Sequence, residues 1–74
     1  MYYKNITAII HKEDDSYVSL CPELDIASQG DTIEQAKNNL KEAVELFFEC
    51  ASKEEINQRY YGETYISSME IAFG

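Results

Sequence analysis

The sequence holds little with which to do chemistry. It has one histidine, two cysteines and no CxxC pair in 74 residues, so the clustered ligands of a zinc site are not expected. Basic residues are scarce: six Lys and Arg stand against 14 Asp and Glu, a formal net charge of −8. Such a surface repels phosphate backbones, which argues against direct nucleic-acid binding, and it speeds encounters with a basic partner. No apolar run approaches the ~18 residues a membrane span needs. The opening MYYKNITAIIHKEDD carries only a short apolar stretch, unlike a signal peptide. A cytoplasmic location is expected, with Cys21 and Cys50 as reduced thiols rather than a redox pair. Internal repeats, low-complexity tracts and linkers are also missing, so residues 1–74 read as a single domain.

What is present is a clear alternation of short strands and one long helix. Tyr3–His11 reads as a strand, with Ile6, Ala8 and Ile10 on one side and Thr7, Ile9 and His11 on the other. Lys12–Ser16 is a polar turn of hairpin length, and Tyr17–Cys21 is the returning strand. The lone proline, Pro22, ends that strand because it has no N–H to give a ladder. Leu24–Gln29 reads as a third short strand, and Gly30 allows a corner.

Thr32-Ile33-Glu34-Gln35 fits a capping box, with Asp31 and Glu34 near the positive end of the helix dipole. The apolar stripe Ile33, Ala36, Leu40, Ala43, Val44, Phe47 and Ala51 predicts a helix from Ile33 to Cys50. A short helical turn at Lys53–Gln58 and a loop follow. Tyr65–Phe73 then reads as a last strand with Met69, Ile71 and Phe73 on one face. The expected fold is α+β, a two-layer β-β-β-α-β sandwich. A three-stranded antiparallel meander and a final strand beside the first are covered on one face by the helix.

Four blocks carry a family resemblance: Asp15-Ser16-Tyr17-Val18, Cys21-Pro22-Glu23-Leu24, Ser28-Gln29-Gly30-Asp31-Thr32, and Ala36 with Asn39-Leu40-Lys41-Glu42-Ala43. In this order they resemble the HicB-like antitoxins, small proteins with a partial ribonuclease-H-like fold. The resemblance covers about residues 3–50. It implies a binding protein that neutralises a small basic mRNA-cleaving toxin of HicA type, and a tendency to form homodimers or larger homo-oligomers. Complete members carry a DNA-binding segment after the last strand. No basic helix follows here, so operator binding by this chain is not expected. An orphan homo-oligomeric domain of the same fold is the alternative reading.

A ribonuclease-H-like fold also raises a divalent-metal nuclease, which needs three or four converging carboxylates. Asp14, Asp15, Glu23, Asp25 and Asp31 are the candidates. Acids at corners are ordinarily turn-formers and caps, and His11 has no nucleophile or acid placed around it by sequence. No catalytic residue, cofactor or metal is therefore expected, and the chain is not read as an enzyme. Partner contact falls instead to Glu42, Glu45 and Glu49 on the outer helix face, to Phe48 beside the stripe, and to Arg59, Tyr60 and Tyr61. The pair Tyr60-Tyr61 beside Arg59 has the composition of an interface anchor, while Phe48 could equally cap the core.

Overall fold

The computed structural model describes residues 6–60 and 63–74. Three strands form an antiparallel sheet in the order β1 (Ile9–Glu13), β2 (Ser16–Cys21), β3 (Ile26–Gly30), followed by helices α1 (Ile33–Cys50) and α2 (Lys53–Arg59). One face of the sheet is covered by α1, and no other helix or strand among the described residues covers the second. The molecule is thus a two-layer α+β domain.

The first hairpin is tighter than its polar sequence suggests. Glu13 pairs with Ser16, leaving Asp14 and Asp15 as a two-residue turn. Asp14 takes φ 55°, a left-handed conformation that aspartate tolerates because its short carboxylate can bond locally. β1 consequently begins at Ile9 and runs to Glu13, later than the expected Tyr3–His11, whose first three residues lie outside those described. Residues 6–8 are not in the ladder because the Thr7 N–H is taken by a side chain, the Glu23 carboxylate. β3 is likewise shifted, because Pro22–Asp25 forms a turn with Asp25 at φ 54°. Leu24 still reaches the core, from that turn rather than from a strand.

α1 has the expected bounds, and the capping residues explain them. The Gln35 N–H donates to the Thr32 hydroxyl at 3.0 Å. The Gln35 side chain reaches one residue further back than a capping box requires and accepts from the Asp31 N–H at 2.9 Å. Ala36, Leu40 and Val44 are the buried ridge. Ile33 falls on the same stripe but is exposed. Cys21, Leu24, Leu40 and Val44 form the core, with Ile6, Ile26, Phe47, Phe48 and Tyr60 packed around it.

Small residues let α1 sit close to the sheet. Ser19 is fully buried and donates its hydroxyl to the Ala36 carbonyl at 2.8 Å. Gly30 has an ordinary φ; its lack of a side chain matters for space. A Cβ there would lie 2.5 Å from the Ala36 nitrogen and 2.7 Å from the Gln35 Cβ, so any larger residue has to push the helix start away.

The expected final strand is not formed within the chain. Residues 63–74 pair with no described strand. Tyr65, Met69 and Phe73 stand 84%, 84% and 98% exposed. Alternation says which side chains share a face, but a strand also has to reach its edge, and here the expected pairing beside the first strand is not made.

Candidate protein-interaction surface

The acids proposed as metal ligands are divided between the two ends of the sheet. The register puts the Asp14-Asp15 turn and the Gly30-Asp31 corner together at one end. Glu23 and Asp25 belong to the turn at the other end, a strand length of roughly 20 Å away. No three His, Cys, Asp or Glu side chains among the described residues are grouped to hold a metal ion. His11 is exposed and lies 3.5 Å from the Glu13 carboxylate.

Glu23 is not a surface turn-former. It is buried, and its carboxylate accepts from the Thr7 hydroxyl at 2.7 Å, from the Thr7 N–H at 3.0 Å and from the Cys21 thiol at 3.6 Å. Burial alone would raise its pKa, but the bonds from Thr7 and Cys21 outweigh burial and hold it below the ordinary carboxylate value. Burial, with the adjacent Glu23 charge, pushes the Cys21 thiol up, so Cys21 is a packed neutral thiol. Cys50 is exposed and unbonded to it. These groups fasten the chain before β1 to the turn after β2. Their hydrogen-bonding capacity is used internally.

Of the aromatic and arginine candidates, Phe48 and Tyr60 are half-buried, and Arg59 is exposed but bonded within the chain. Phe48 meets Phe47 edge-on with centroids 5.6 Å apart and packs against the core. Arg59 donates to the Leu24 carbonyl at 3.0 Å and stands over the Phe47 ring at 5.5 Å. It ties α2 to the Pro22–Asp25 turn. Tyr60 is half-buried against the core, and Tyr61 lies outside the described residues.

Glu42, Glu45 and Glu49 are all exposed and lie three and four residues apart, so they form one ridge along α1. Sequence reasoning missed their neighbour: Leu46, 59% exposed, occupies the same arc of the helix. A leucine falling on the solvated side of the periodicity was the available signal. No cation lies within ion-pair distance of these glutamates among the described residues. The last turn of α1 carries no basic residue either, so Glu49 meets the negative end of the helix dipole uncompensated. An apolar knob framed by unpaired carboxylates is suited to a basic surface with a small apolar pocket. At the other end of α1, a shallow polar hollow is lined by Ser16, Gln29, Gly30, Asp31, Gln35 and Asn39. Its Asn39 side chain donates to the Gln29 carbonyl at 2.8 Å.

No helix among the described residues is long and apolar enough to cross a membrane. The fold and this surface define a small α+β protein whose exposed chemistry is acidic and apolar. The chain belongs to the UPF0150 family. It is 35% identical over 69 residues to a UPF0150 protein of Helicobacter pylori, covering 92% of this chain and 96% of that protein. It is 50% identical over 46 residues to the UPF0150 protein ssl0738 of Synechocystis sp., and 47% identical over 47 residues to ssr1765 of the same organism. Those two stretches span 60% and 61% of this chain, and 64% and 60% of the relatives, under two thirds of each. No protein-family model matches the chain, and no solved structure does.

Proposed function

We propose that this protein is a HicB-like, antitoxin-type binding protein. It neutralises a small basic mRNA-cleaving toxin by covering the toxin's RNA-binding surface, and it acts in the cytoplasm without catalysis of its own. The observation that carries this reading is the α1 ridge, where Glu42, Glu45 and Glu49 surround exposed Leu46 and, among the described residues, make no ion pair. The net charge of −8 supports it, since opposite fields raise the association rate and disfavour nucleic acid as the ligand.

The test is to express the open reading frames that flank the gene and titrate the purified chain calorimetrically with any small basic ribonuclease among them. Tight binding is expected, weakening as salt is raised. The triple variant Glu42→Lys/Glu45→Lys/Glu49→Lys should lower affinity by about 100-fold or more, because like charges then meet across the interface. Leu46→Ala should cost about tenfold, on the order of 1.4 kcal/mol. All four positions are exposed, so the circular dichroism of the variants should match the parent. Unchanged affinity in the triple variant would remove the ridge from the interface, and no binding at all would remove the toxin partner.

A further inference from the structure

We propose that residues 63–74 form the exchanged strand of a homodimer: the segment of one copy pairs with the open outer edge of β1 in a second copy, and the second copy reciprocates. Three observations carry this, and none depends on the toxin-binding reading.

The first is the mismatch between pattern and environment. Tyr65, Met69, Ile71 and Phe73 share one face of an extended chain, the signature of a half-buried strand, yet all four are exposed. Ile66, on the other face, is exposed as well. Within the segment the side-chain hydrogen bond is a local one, from the Tyr65 hydroxyl to Glu63. The radius of gyration of 14.3 Å exceeds the roughly 11 Å of a compact chain of this length.

The second is the choice of edge. The described sheet has two outer strands, β1 and β3. β3 is partly covered, because Asn39 of α1 already bonds its Gln29 carbonyl. β1 has no such cover among the described residues, and an uncovered edge is a template for a further strand. β1 also carries Lys12, and its His11 faces its own Glu13 at 3.5 Å, while residues 63–74 bring Glu63 and Glu70 and no basic residue.

The third is area. The four aromatic rings of two segments bring roughly 600–1,000 Å² of surface. With the Ile and Met side chains this enters the range of about 1,200–2,000 Å² found in stable interfaces. Reciprocal exchange about a two-fold axis uses each segment and each β1 edge once, so the assembly closes at two copies. Each copy carries a net −8, so the two repel. The dimer should therefore tighten as salt is added, opposite to the salt response of the toxin complex.

Sedimentation equilibrium of the full chain at several salt concentrations reads this directly. The expected result is a dimer whose dissociation constant falls with salt. Met69→Lys/Ile71→Pro should raise that constant at least tenfold, because proline removes a ladder N–H and lysine charges the apolar face. The helical circular dichroism should be unchanged, since these side chains are outside the core. In mixed samples of isotope-labelled and unlabelled chains, nuclear Overhauser contacts between residues 65–73 and β1 should run between copies. A monomeric parent, a dimer indifferent to the double variant, or contacts confined to one copy would each overturn the proposal. So would a segment that becomes protected only when a different protein is added.

Discussion

Leu24→Ala is expected to destabilise the domain by about 2–5 kcal/mol, the range for removing a fully buried leucine. The total from a core this small is roughly 3–5 kcal/mol, so the variant should lose a large share of its stability at 25 °C. Leu24 has 0% exposure and lies between Cys21, Leu40 and Val44, where the turn after β2 closes over the C-terminal half of α1. Its backbone carbonyl receives the Arg59 guanidinium, so the neighbourhood cannot collapse into a vacated space without losing α2's tether. Urea titration followed by helical circular dichroism checks this. Leu24→Met, which keeps most of the volume, should cost under about 1.5 kcal/mol. A loss below 1 kcal/mol for the alanine variant would mean that the core is centred elsewhere.

Glu23→Gln is expected to cost about 1–3 kcal/mol at neutral pH, as for a buried hydrogen-bonding group left badly matched. The deficit should shrink in acid. Burial works to raise the Glu23 pKa, but the Thr7 and Cys21 bonds dominate and depress it below the 4.5 of a free glutamate. A depressed folded-state pKa contributes stability that is present above the unfolded value and is lost as pH falls through the folded one. Glutamine has no charge to lose, so parent and variant should converge as pH drops below about 4.5. Thr7→Val, which removes the 2.7 Å hydroxyl bond, should move the parent's acid limb to higher pH. Urea midpoints at several values between pH 3 and 7 give the comparison. A constant gap across that range would exclude Glu23 as the titrating group.

These two residues mark the boundary of what the sequence discloses. α1 was legible from Ile33 to Cys50 because its stop and start are written locally, in Thr32, Gln35 and a stripe at three- and four-residue spacing. The hairpin and the meander were legible for the same reason, although β1 and β3 shifted by a few residues. Glu23 was not. Its partner Thr7 is 16 residues away, and a glutamate at a corner looks the same in sequence whether it is solvated or buried. Arg59 reads as part of an interface anchor by composition and Phe48 as either a core cap or a partner contact, but the Arg59 bond to the Leu24 carbonyl and the Phe48 contact with Phe47 are tertiary facts. The acidic ridge needed only the helical period. Leu46 was overlooked because attention to an apolar stripe passes over an apolar residue that falls off it. The last strand differed for another reason: alternation marks a chain fit to be a strand, but residues 63–74 do not reach the open β1 edge of their own sheet.

The uncompensated glutamates of α1 have one more consequence, for heat rather than recognition. A chain held by surface ion pairs loses stability when salt is added. Here the described residues offer a single exposed pair, His11 with Glu13 at 3.5 Å, while Glu42, Glu45 and Glu49 repel one another and the helix end. Screening removes a penalty and forfeits almost nothing. The melting temperature of this protein should climb with ionic strength, so the medium itself supplies the counter-charge that the sequence withholds.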